Sequence, residues 1–389
     1  MLGLNRIVSK SKGLVYAALA CCALWFSSTA HAQTWVWTPE VVDTYGRSMS
    51  LAADAEGNIH ISYGGSGGLT YGFRPFGEKS RWFVMTLGGG VSYTDVALDR
   101  QGNPYICATY LSLPLRFARF SDKEWKIQNI APEDSMAVQM ACGVAISADG
   151  TPQVSWYRYS DSPDFKHLKY AVLKDGAWLM RTLDFDAQTG KWHTMVLNSQ
   201  GNPCISYDAF VKGVLKLDCW DGKNWNISVP DSRGAHGSDY SLGMGSSLVF
   251  DAQGKAHISY YTDTAIRHAF QDGQGWKVET VEQISPIGGF VDYRSSILFD
   301  KDGALHVSYE DGGVAKHAYW DGTRWRVQVI APAGGGELRS RFSWMTIDST
   351  HDILYLAYRD AADGALKVAV GRKVESPQTA SSEKKAEKN

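Results

Sequence analysis

Arginine, tyrosine, tryptophan and histidine gather at recurring joints of this chain, with acidic residues between them. One set of joints carries Tyr45 and Arg47, Tyr93 and Asp95, then Lys191, Trp192 and His193. It continues with Arg233, His236, Asp239 and Tyr240, then Asp292, Tyr293 and Arg294, and ends at Arg339 and Arg341. A second set carries Tyr110, then Tyr157, Arg158, Tyr159 and Asp161, then Asp208, Tyr261, Asp263, Glu310, Arg359 and Asp360. These types suit ligand recognition. Aromatic faces stack on sugar rings, and arginine and aspartate fix hydroxyls and carboxylates. Arg47, Tyr93, Trp192, Arg158, Asp239, Asp292 and Arg341 are therefore the candidate ligand-binding residues. A solvated polar rim is the plainer reading of the same residues. Hydrolysis of a glycoside would need two carboxylates at a set separation. Asp95, Asp239 and Asp292 are available for it. His193 and His236 could share a zinc with a carboxylate, but isolated histidines are usually not ligands, and neither a metal nor a cofactor is expected.

The elements that position these residues follow from a repeat. DAEGNIHISY at Asp54, DRQGNPYICA at Asp99, SADGTPQVSW at Ser147, NSQGNPCISY at Asn198, DAQGKAHISY at Asp251 and DKDGALHVSY at Asp300 are copies of one unit. Their turn glycines are Gly57, Gly102, Gly150, Gly201, Gly254 and Gly303. A seventh copy at Asp348, DSTHDILYLAY, lacks the glycine. Each unit holds four apolar segments: one ending at the turn, the HISY segment, a Leu-Lys-Tyr-Ala-like run, and a run opened by tryptophan. Short apolar, β-branched segments between Gly, Asp and Asn turns predict strands. A period near 50 residues with four strands predicts a β-propeller. The seventh unit lacks its tryptophan strand, and TWVWTPEVVD at Thr34 has the look of one. The sequence thus predicts an all-β, seven-bladed β-propeller of four-stranded antiparallel blades, the last blade closed by the N-terminal strand. The joints from fourth strand to next first strand then gather at one mouth of the ring, flanked by those between second and third strands.

Residues 1–32 read as a signal peptide, with Arg6, Lys10 and Lys12 before the apolar run GLVYAALACCALWF and Ala30-His31-Ala32 as the cleavage site. Alternatives are an uncleaved anchor and, more weakly, a lipoprotein through Cys21. The propeller is assigned to residues 33–374, and 375–389 to a disordered charged tail. Expected localisation is periplasmic or secreted after cleavage near Ala32. No segment of the mature chain is apolar enough to span a membrane. The formal net charge of −2 lacks the basic surplus of a nucleic-acid binder, and removing the three signal-peptide cations makes it more negative. Four cysteines remain after cleavage. If Tyr207 faces Lys216 across a hairpin, Cys204 faces Cys219, which leaves Cys107 with Cys142. Four buried thiols are the alternative.

Residues that recur blade after blade are read as structural. These are His60, His257 and His306 of the motif, His268 and His317 of the third strands, and the tryptophans that open the fourth strands. One acidic residue per Asp-x-x-Gly turn gives too few oxygens for calcium.

The unit Asp-x-x-Gly-x-x-His-Ile-Ser-Tyr, then Leu-Lys-Tyr-Ala, then Trp, resembles exported bacterial seven-bladed propellers of the sialidase/BNR-like assemblage. It is also similar to propeller polysaccharide lyases of the ulvan-lyase kind, which carry Gly-x-x-His-(Ile/Val) strands followed by Leu-x-Tyr. That likeness implies β-elimination on an acidic polysaccharide, with His and Tyr as base and acid and Arg holding a uronate. The candidates for those roles are His193, His236, Tyr240, Tyr293 and Arg294. The first expectation is a binding protein that recognises a glycan or an envelope protein partner through the loop-rich mouth. A lyase is the alternative, and a structural part of an envelope complex is a third.

Overall fold

In the computed structural model, residues 33–78, 81–110, 113–130, 138–159, 167–186, 188–233, 242–286, 292–332 and 340–375 are described. The stretches read as a signal peptide and a tail lie outside them, except for Glu375 at the end of the last strand. The described residues form seven blades, each a four-stranded antiparallel sheet. Blade 1 runs Arg47–Ala53, Ile59–Gly65, Gly68–Arg74 and Phe83–Gly88. Blades 2 to 6 repeat that order, beginning with the inner strands Tyr93–Leu98, Val138–Ile146, Thr189–Leu197, Met244–Phe250 and Ser296–Phe299.

The repeated turn works as its chemistry requires. The Gly57 N–H donates to the Asp54 carbonyl at 3.1 Å, and Gly57 has φ +82°, which favours glycine. One Asp54 carboxylate oxygen accepts the Glu56 and Asn58 N–H groups at 3.0 and 2.8 Å. Inside the blade the turn aspartate starts a chain of side-chain hydrogen bonds. Asp300 Oδ2 meets His306 Nε2 at 3.2 Å, and His306 Nδ1 meets His317 Nε2 at 2.9 Å. In blade 5, His257 meets His268 at 3.0 Å, and His268 meets Glu279 at 3.0 Å. Glu279 also accepts the Trp325 indole N–H of the next blade at 3.0 Å. The recurring histidines thus tie strands and blades together. The indoles are less uniform, since the buried Nε1 atoms of Trp82 and Trp178 find no hydrogen-bond partner.

Blade 7 consists of Ser340–Asp348, Ile353–Arg359, Leu366–Glu375 and the N-terminal strand Gln33–Asp43, as the split repeat predicts. The register runs from Gln33 opposite Glu375 to Val41 opposite Lys367. Gly371 sits opposite Trp37, and a Cβ there would lie 2.7 Å from the indole ring. A bidentate ion pair joins this strand to blade 1. Arg74 Nε and Nη2 donate to the two Glu40 oxygens at 2.7 and 2.9 Å, and both side chains are buried. One feature is absent from the repeat pattern. The short strand Asp292–Arg294 leaves blade 6 and pairs in parallel with Ser340–Phe342 of blade 7.

Both disulfides form. Cys204 and Cys219 pair across the hairpin of blade 4, in the register read from Tyr207 and Lys216. Cys107 in the second strand of blade 2 joins Cys142 in the first strand of blade 3. A closed loop of about 15 residues stabilises by roughly 3 kcal/mol in the chain-entropy picture.

Candidate functional site

The mouth-side halves of the inner strands converge on the ring axis, joined there by the short strand Asp292–Arg294. Tyr93, Trp192, His193, Tyr293 and Arg294, all singled out in the sequence, line one pit there. Its volume is about 10 Å³, room for a single water. Gly245 makes so close a wall possible. Its φ is +58°, and a Cβ would stand 2.3 Å from the Tyr293 carbonyl oxygen.

His193 is 2% exposed and both ring nitrogens are engaged. Nδ1 lies 2.9 Å from the Gly190 carbonyl, which only accepts, so Nδ1 carries the proton. Nε2 then accepts from the Ser155 hydroxyl at 2.9 Å. Burial pushes the His193 pKa down to about 4, so the ring is neutral. Trp192 is buried, its face under the Lys191 ammonium at 3.9 Å. Tyr93 packs edge-on against Phe342 at 5.9 Å, and Tyr293 packs against Tyr261 at 5.0 Å. Arg294 lies over the Trp344 ring at 4.1 Å. Burial lowers its pKa, and the charge of Asp95 opposes that shift.

Of the remaining sequence candidates, Arg47 and Arg158 stand outside the pit's lining. Arg47 is exposed and donates to the Val91 carbonyl at 3.3 Å. Arg158 is half-buried, opposite His167 in the second strand of blade 3. Asp292 and Arg341 stand in the parallel pair, opposite Ser340 and Tyr293. His236, Asp239 and Tyr240 lie outside the described residues.

Sequence reasoning missed a larger recess, a groove of about 540 Å³ between blades 3 and 4. It lies at the ends of the inner strands, on the face opposite the mouth, among the turns at Asp149, Asp175 and Asn202. Trp220 and Trp225 of blade 4 stand 5.9 Å apart and tilted, and Tyr170 of blade 3 meets Trp225 edge-on at 5.0 Å. Exposed Arg181 extends over Trp220 at 5.3 Å. A signal was present in the repeat. The fourth-strand position of Arg181 carries Met85, Gln128, Ser228, Glu279 and Gln328 in other blades, with Glu40 in the closing strand. The groove's size is that of a small-ligand site, and its make-up is aromatic walls with a few polar groups.

No protein-family model matches this chain, and no curated protein does. Solved structures do. A polysaccharide lyase, an ulvan lyase bound to -[GlcA(1-4)Rha3S]-, matches with TM-score 0.59 at 13% identity, over 85% of this chain and 95% of that one. A protein of unknown function from Dyadobacter fermentans matches with TM-score 0.52 at 12% identity, over 87% and 99%. The six-bladed fucose-recognising lectin of Aleuria aurantia matches with TM-score 0.50 at 14% identity, over 76% and 100%. Identities this low carry the fold alone, so what the likenesses give is the β-propeller architecture that this chain shares with lectins and with polysaccharide lyases.

Proposed function

We propose that the protein is a carbohydrate-binding propeller, and that the groove between blades 3 and 4 takes a sugar ring. The observation that carries this reading is the pairing of Trp220 and Trp225 with Arg181 in a recess of about 540 Å³. An indole face covers the apolar face of a pyranose, and arginine with Asp149 and Asn202 supplies donors and acceptors for its hydroxyls. The signal-like leader and the two disulfides support a periplasmic or secreted location, where a glycan or an envelope protein would be met.

A lyase is the second reading, supported by the convergence of Tyr93, His193, Tyr293 and Arg294 on one pit. Elimination needs a base whose lone pair reaches the substrate. His193 is buried and gives its Nε2 lone pair to Ser155, and the pit admits no sugar ring. Binding is therefore ranked first.

The test is affinity electrophoresis of the mature protein through neutral and acidic polysaccharides, with ultraviolet absorbance of the same mixtures. Retention on at least one glycan is expected, without the absorbance of an unsaturated uronate. Trp220→Ala and Arg181→Ala should each weaken retention by about tenfold or more, as at a binding hot spot. Unchanged retention in both variants would move binding away from this groove. New absorbance would replace the binding reading with the lyase.

A further inference from the structure

A guanidinium taken out of water is costly unless its donors are used. Arg294 is 5% exposed, and its Nη2 finds no hydrogen-bond partner among the described residues. Its charge rests on the Trp344 face at 4.1 Å and on Asp95 at longer range. Asp95 forms no ion pair with it. The oxygens of Asp95 accept the Ser50 hydroxyl at 2.6 Å and the Val144 N–H at 3.0 Å.

Arg294 also lines the axial pit, whose volume of about 10 Å³ holds one species the size of a water. Two acceptors of the wall are already served. The Gly245 carbonyl accepts the N–H and the hydroxyl of Ser295 at 3.0 and 2.9 Å. The His193 lone pair is taken by Ser155. The wall also holds a cation with a spare donor, among the rings of Tyr93, Trp192, Tyr293 and Phe342. A species that only accepts fits it better than water, which must also place two protons.

We infer that the propeller axis holds one small monovalent anion of the halide class, bound by Arg294 Nη2. The site lies on the axis, remote from the groove between blades 3 and 4, and does not rest on the carbohydrate reading. Its consequence is structural. The anion would complete the hydrogen bonding where the inner strands of six blades meet.

The experiment is thermal unfolding of the mature protein in chloride and in gluconate at matched ionic strength. A ligand that binds only the folded state raises the midpoint by about 2 °C per tenfold increase in halide above its Kd, for a domain of this size. That rise is expected in chloride, absent in gluconate, and absent in Arg294→Met. A bromide-soaked crystal of the unaltered protein should show an anomalous peak on the axis, within hydrogen-bond distance of Arg294 Nη2. The bromide measurement decides alone if Arg294→Met does not fold. No axial bromide peak, or an equal chloride response in the variant, would overturn the assignment.

Discussion

Asp218→Ala should stabilise the protein by about 3 kcal/mol above neutral pH, an unusual sign for a change at a fully buried position. Asp218 is 0% exposed, and neither carboxyl oxygen has a hydrogen-bond partner among the described residues. Burial, then the nearby charge of Asp184, push its pKa up to about 7, against the weaker pull of Lys216. A shift from 3.8 to about 7 is worth about 4 kcal/mol once the unfolded chain is ionised and the folded one must be as well. The small cavity left by alanine returns about 1 kcal/mol of that. The repeat supports the substitution. Asp218 lies opposite Ile205, and the equivalent places hold Gly72, Ala118, Ala171, Ala269, Ala318 and Ala369, each opposite an Ile, Val or Leu. The folded chain keeps a proton that the unfolded chain releases between the two pKa values. The ionisation cost of this group is therefore absent well below pH 3.8, grows as pH rises to about 7 and is constant above. Urea unfolding of both proteins across that range measures it. A gap that does not widen with pH, or a variant less stable than the parent, would refute the account.

Glu40→Ala should act in the opposite direction, with a loss of about 3–5 kcal/mol. The ion pair of Glu40 and Arg74 is buried, at 2.7 and 2.9 Å, and removing the carboxylate leaves a guanidinium without its counter-charge. Tyr355, whose ring centroid is 5.6 Å away, carries no full counter-charge to replace it. The double change Glu40→Leu with Arg74→Met removes both charges and should recover most of the loss, because well-packed apolar replacements of a buried pair are close to neutral. Denaturant midpoints of the single and double variants give the result. A single variant within about 0.5 kcal/mol of the parent, as for an ordinary surface change, would show that the pair is not isolated from water.

The blades were legible because their signals are local. An aspartate, a glycine three residues on, and alternating strands lie within one stretch of chain, and the hairpin register followed closely enough to pair Cys204 with Cys219. The split seventh blade was legible for a related reason: the strand missing after Leu366 has a match at Thr34. Burial was harder to read. His193 and Tyr293 stand at loop-like joints in the sequence, yet both are buried, His193 on the inner strand of blade 4 and Tyr293 on the strand Asp292–Arg294, whose detour to blade 7 has no counterpart in the repeat. The groove was missed because it exists only between blades. Arg181 and Trp220 are unremarked alone and become a pair through packing. Asp218 was visible as the one acid in a column of alanine and glycine, but a column read for its consensus hides its exception.

The closing strand has a consequence for the order of assembly. Gln33–Asp43 is synthesised before every other described strand, and Leu366–Glu375, its partner, after all of them. Until that partner arrives, the early strand has no sheet to join, and its exposed Val36 and Val41 accompany an unpaired backbone edge. Hairpins such as the one bearing Cys204 and Cys219 need only local chain and close early, whereas closure joins residues from opposite ends of the sequence and pays its loop entropy last. A chain interrupted before Leu366 would therefore be left with formed blades and an open, adhesive seam, which is the state a chaperone or a protease would meet.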